Sequence, residues 1–155
     1  MRDYRDIYEG INNFEIIRYL LVVPYPYSKD DAKEFLRRAA KEWTEKPQKS
    51  YKFAIELKEE SKVIGMIDLC KVSLQQGTAE TGSWLHERYH RKGYMTEAKV
   101  AVNEFAFNEL GLRRLHTSTF EVNKASKKTQ LRMGYKIEGF HREYAVCQAN
   151  GQVHS

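Results

Sequence analysis

The chain has little of what small secreted or metal-held domains depend on. Its 155 residues include only two cysteines and three prolines. Cys70 and Cys147 stand at no metal-ligand spacing, so neither a disulfide framework nor a zinc site is indicated. They read as reduced thiols of a cytoplasmic protein, with no metal site expected. Long apolar runs are missing too. The longest, YLLVVPY at 19–25, is too short to span a bilayer and contains Pro24. The opening MRDYRD has none of the features of a secretion signal. No internal repeat, low-complexity tract or Pro/Gly-rich linker divides the chain, which leaves a single domain over 1–155.

What is present points to a folded core beside an anionic partner. Apolar residues make up 41% of the chain, with 10 Tyr and 7 Phe, enough to argue against disorder despite 30% charged residues. Net charge is +5, which favours a phosphorylated cofactor, a nucleic acid or an acidic surface without choosing among them.

Periodicity gives the elements. Ile7, Ile11, Phe14 and Ile17 recur at helical spacing over 3–20. After VPYPYS, Ser28 offers an N-cap with Asp30 and Asp31 in the first turn, and a second helix to about Trp43 would bury Ala32, Phe35, Leu36, Ala39 and Trp43. Segments 51–57, 62–74 and 79–85 read as three strands joined by short turns, hence an antiparallel meander. A helix runs from Tyr94 to Leu110 with Gly111 as its C-terminal cap. A strand at 113–122, a helix from Asn123 to Met133 and a final strand at 135–146 complete the order. The fold class is α+β, with a mixed, mostly antiparallel central sheet flanked by helices.

One stretch carries chemistry: HRKGYMTEA at 90–98. A strand, a basic loop with one glycine and a helix start form an anion site, because the first amides of a helix have no intrahelical partner. Gly93 can take a positive φ and has no side chain to block a phosphate, while His90, Arg91 and Lys92 add positive potential. A solvated basic turn is the bland alternative. The loop is not a Walker A motif, lacking the second glycine and the Lys-Ser/Thr pair.

The segment GSWLHERYHRKGYMTEA resembles the pyrophosphate loop of GNAT N-acetyltransferases, in particular the RimJ/RimL-like branch. The family pattern Gln/Arg-x-x-Gly-x-Gly/Ala falls on His90, Gly93 and Met95, so two of three positions are atypical. A second block, EVNKASKKTQLRMGYKIEGFHRE, resembles the branch's Asn-x-x-Ser region in the expected order. The resemblance implies acetyl-CoA as cofactor, with its pyrophosphate held by backbone amides from Arg91 through Lys92, Gly93, Tyr94 and Met95 to Thr96. Met95 would turn its side chain into the core. The resemblance also implies that the strand ending SWL splays from 113–122, and that pantetheine pairs with Trp84 and Leu85.

For the chemistry, Glu80 is the candidate base, with Glu138 and Glu143 as weaker alternatives. The resemblance implies that Asn123 bonds the pantetheine arm and that Ser126 protonates the leaving thiolate. Plain helix capping is the alternative for both. Tyr135 reads as core, and His116 as packed or exposed rather than catalytic. Tyr25, Tyr27 and Trp43 could wall a substrate cleft or serve as packing.

The implied activity is acetyl transfer to a primary amine, with a protein N-terminal amino group of the ribosomal-protein type as first choice. Polyamines, aminoglycosides and a non-catalytic acyl-CoA-binding or regulatory module are the alternatives. A nucleic-acid-binding domain lacks its aromatic-basic strand motif or recognition helix here. Relative to the family pattern, the first and last strands are expected to be absent, the last one normally lying between 113–122 and 135–146. Trimming, strands supplied by a partner chain as in a homodimer, or a degenerate binding protein would each account for that.

Overall fold

The computed structural model describes residues 3–155. Helices α1 (Tyr4–Ile11), α2 (Phe14–Ile17) and α3 (Lys29–Thr44) precede strands β1 (Tyr51–Leu57), β2 (Lys62–Ser73) and β3 (Thr78–Leu85). A single 3-10 turn, Glu87–Tyr89, leads to α4 (Tyr94–Glu104). Strand β4 (Arg114–His116), α5 (Lys124–Arg132), β5 (Ala145–Val146) and β6 (Val153–His154) follow. The sheet order is β1-β2-β3-β4, antiparallel in its first two pairings and parallel between β3 and β4. The α+β class and the meander are as expected.

Three expectations are corrected. The helix over 3–20 is two helices, because Asn13 leaves helical geometry and its side chain accepts from the Glu15 amide to cap α2. The strand at 113–122 is ordered as a ladder only over Arg114–His116. The strand at 135–146 is reduced to Ala145–Val146, paired with Val153–His154 in a separate two-stranded sheet. Outside these short pairings and isolated bonds such as Glu121 N–H to the Ser155 carbonyl, the β-favouring residues form no ladder among the described residues, and propensity alone does not make a strand. The Ser28 cap is present as a full capping box with Asp31. Trp43 is 49% exposed rather than buried, its ring set edge-on to Tyr51 and Phe53.

Alternation divides the sheet into two faces. Ile67, Leu69 and Ala79 pack with Val102 and Ala106 of the α4 helix and its π-helical extension, Phe105–Glu109. On the opposite face Met66 and Trp84 pack against Ile7, Ile11 and Ala32 of α1 and α3. Polar residues of the same face, Asp68 and Glu80, lie farther along it.

Candidate functional site

The loop after β3 is built as an anion cradle. Gly93 is the N-cap of α4 at φ +90°, and Arg91 also takes a positive φ of 62°. The first helical bond runs from the Glu97 amide to the Gly93 carbonyl. Among the described residues, the amides of Arg91, Lys92, Gly93, Tyr94, Met95 and Thr96 donate to no protein acceptor, and no side chain caps the helix. A Cβ built on Gly93 would meet nothing within 4 Å, so the space beside it is open. Successive outward amides at the positive end of a helix dipole suit a diphosphate. Arg91, Lys92 and Thr96 are exposed around them. Tyr94 and Met95 instead turn inward against Ile64, Leu85 and Tyr89. That inward turn makes Met95 compatible with a position the family keeps small. His90 is tied back to the strand end, with Nε2 2.7 Å from the Leu85 carbonyl.

The second feature is a gap beside β3. The β3–β4 ladder covers only Thr78–Glu80 against Arg114–His116. The Thr117 hydroxyl then donates to the Thr81 carbonyl at 2.9 Å and closes the apex. Beyond it, among the described residues, 82–85 has no ladder partner in 117–122. Four residues of strand give a gap about 13 Å long, opening toward the 91–96 loop. Trp84 and Leu85 stand at that open end. The Leu85 side chain is buried and its carbonyl is engaged by His90, while Trp84 packs over Gly10. Thr81 Oγ1 is buried at the apex without a hydrogen-bond partner. The Tyr135 phenol is near enough for Thr81 to stabilise its ionised form, but not in hydrogen-bond alignment, and burial pushes its pKa up. Tyr135 is thus half-buried beside the apex rather than simply core.

Glu80 is the last β3 residue in the ladder. Cys70 and His116 flank it in register on the two neighbouring strands. Burial pushes the Cys70 thiol up to about 11, which keeps it protonated. Asp68 is a diagonal neighbour on the same face. Desolvation raises its carboxyl pKa, opposed by Lys52 and the Gly82 amide. Gly82 is bare because a Cβ there would lie 2.6 Å from Asp68 Oδ1. Glu80 Oε2 is 2.7 Å from the ammonium of Lys71. The Glu80 hydrogen bond raises the Lys71 pKa.

Of the other sequence candidates, Asn123 caps α5, accepting from the Ser126 amide at 3.1 Å. Ser126 is half-buried behind it. Exposed Lys124, Lys127, Lys128 and Arg132 make one side of α5 basic. Glu138 is held by both guanidinium nitrogens of Arg114, which holds its carboxyl below the usual range. Glu143 is exposed. Lys71 and Asp68 are absent from the sequence reading. Lys71 faces Glu80 only because of a β-bulge, for which the sequence carries no signal. Among the described residues no group of His, Cys, Asp and Glu could hold a metal, and no helix is long and apolar enough to cross a membrane.

Residues 1–136 match the family model described as the acetyltransferase (GNAT) domain. The uncharacterized N-acetyltransferase YnaD of Bacillus subtilis (strain 168) is 27% identical over 142 residues, covering 92% of this chain and 78% of that relative. The fold is similar to that of spermidine N-acetyltransferase from Vibrio cholerae, solved with CoA and spermine. The TM-score is 0.80 at 19% identity, covering 99% of this chain and 86% of that one. Ribosomal-protein-S5-alanine acetyltransferase from Vibrio fischeri is likewise similar, with a TM-score of 0.78 at 19% identity, covering 98% and 86%. The domain match extends over most of the chain, and the chain therefore belongs to the GNAT family as an acetyl-CoA-dependent N-acetyltransferase.

Proposed function

We propose that the chain transfers acetyl from acetyl-CoA to a primary amine, first of all a protein N-terminal amino group, by direct attack in a ternary complex. The observation that carries this reading is the run of six free amides at 91–96 beside a gap in the sheet that ends at Glu80. Those amides would hold the diphosphate, with His90, Arg91 and Lys92 supplying positive potential. Trp84 and Leu85 would flank the pantetheine arm, and Asn123 would bond it through the amide nitrogen that its capping role leaves free. The bound cofactor supplies the activated acetyl thioester.

The residues of the chain then have three tasks: to orient the amine, to take its proton, and to return a proton to sulfur. Glu80 is the base in this reading, acting directly or through a water. Ser126 is the donor to sulfur, with the Tyr135 hydroxyl as a second candidate because it faces the apex. The N-terminal acceptor rests on branch resemblance and on the ribosomal-protein names of two structural neighbours. A polyamine acceptor is the second reading. Glu80 and Glu42 both lie close enough to Asp68 to act on it electrostatically, and such a carboxylate group suits a polycation.

Thiol release with a panel of free and N-blocked peptides, spermine and an aminoglycoside tests the proposal. Release with free peptides alone supports the first reading. Release with spermine alone moves the assignment to the second. CoA binding with no release from any amine leaves a binding module. Glu80→Gln is expected to slow turnover by about 10²–10⁴-fold, chiefly at lower pH where the amine needs deprotonation, with CoA affinity retained. Wild-type rates across the pH range would remove Glu80 from the mechanism.

A further inference from the structure

The ion pair on Glu80 has an unusual origin. Strand β2 carries an irregularity between Cys70 and Ser73, and Lys71 within it takes φ +50°. A regular strand would send residues 70 and 71 to opposite faces. The bulge instead turns Lys71 onto the Glu80 face, a known use of bulges. Its side chain is 77% exposed, yet its Nζ reaches Glu80 Oε2 at 2.7 Å, and the Glu80 side chain is only 24% exposed. An exposed lysine gains little from such a pair. The geometry nonetheless meets one requirement of an acceptor amine: its nitrogen lies within hydrogen-bond reach of the candidate base, the last β3 residue in the β3–β4 ladder.

We propose that Lys71 is an internal acceptor, acetylated in cis on Nζ by the acyl-CoA thioester bound to the same chain. This rests on the reading of 91–96 and Glu80 given above. The Lys71 ammonium first loses one proton to solvent. The amine nitrogen then attacks the thioester carbon; the N–C bond forms and the C–S bond breaks. Glu80 takes the second nitrogen proton and the departing thiolate takes it in turn. The products are acetyl-lysine, free CoA thiol and one proton in solution. Acetylation removes the positive charge and dissolves the ion pair, which frees Glu80 for an external amine.

The test incubates the full chain with acetyl-CoA and no added amine, following the mass gain of one acetyl group and its position by peptide mass spectrometry. Lys71 should be acetylated about a hundredfold faster than the exposed Lys58 and Lys124. The fractional rate should not change on dilution of the protein. Lys71→Arg, which keeps a cation on Glu80, should lose the fast acetylation. Glu80→Gln should reduce labelling of Lys71 to the level of Lys58 while CoA binding by calorimetry persists. Equal labelling of all three lysines, or a rate that falls on dilution, would overturn the proposal while CoA binding and amine turnover leave the enzymatic reading intact. Failure of the wild-type chain to bind CoA would overturn both.

Discussion

Gly93 offers a way to separate backbone cost from electrostatics in the loop. The residue sits at φ +90°, and a Cβ there meets nothing within 4 Å. Substitution therefore costs only the left-handed backbone, about 1–2 kcal/mol for an ordinary L-residue. In a domain of this size that lowers Tm by roughly 2–8 °C. Gly93→Gln and Gly93→Glu share that cost and nearly share their volume, so their melting temperatures should agree. They differ by one negative charge beside the free amides. With a carboxylate about 5 Å from one phosphate charge, repulsion is about 1–3 kcal/mol between bulk water and a protein surface. The Kd for CoA should then rise roughly five- to 150-fold in Gly93→Glu relative to Gly93→Gln. Titration calorimetry at two ionic strengths measures it, and the difference should shrink in high salt. Equal CoA affinity for the two variants, at both salt concentrations, would refute the diphosphate site.

Further perturbations follow from the same structure. Lys99 is 3% exposed, and burial pushes its ammonium from 10.5 down to about 8. Between those values the unfolded chain holds a proton that the folded chain has lost, so stability rises with pH across that window. Below it the full penalty of about 3 kcal/mol applies. Lys99→Met should accordingly exceed wild type in urea unfolding at pH 7 and lose that advantage toward pH 10; a difference independent of pH would contradict this. Gly65→Ala would place a Cβ 2.5 Å from the Trp84 carbonyl oxygen and 3.1 Å from Leu85 Cα. It should cost about 1–3 kcal/mol and weaken CoA binding by shifting the floor of the gap. Gly139→Ala, with nothing within 4 Å, should melt like wild type within about 0.5 kcal/mol. Equal melting of the two alanine variants would count against the close β2–β3 approach.

The parts of the fold legible in the sequence are those set by local chemistry. Tyr51–Leu57 alternates and is bounded by turns, and Ser28 with Asp31 is a capping box that announces α3. The loop is read from a strand, a basic glycine-containing turn and a helix start taken together with the family pattern on either side, because the glycine alone does not separate it from a solvated basic turn. The misread parts depend on partners at a distance. RRLHTSTFEV alternates well enough for ten residues of strand, but β3 diverges after Glu80 and the ladder stops at His116. The break between α1 and α2 was hidden because the apolar period continues from Ile11 to Phe14 across Asn12 and Asn13. Lys99 did leave a signal, since it occupies the same stripe as Met95, Val102 and Ala106. Lys71 left none, because a bulge reverses the face that alternation assigns to it.

The central claim is that the main-chain amides from Arg91 to Thr96 grip the cofactor's diphosphate. Titrating ¹⁵N-labelled protein with CoA reads those amides one by one. The expected result is that resonances of 91–96 shift most, move downfield on charge-assisted bonding and gain protection from exchange, followed by those of 82–85. Saturable CoA binding with the 91–96 resonances unmoved would contradict the claim.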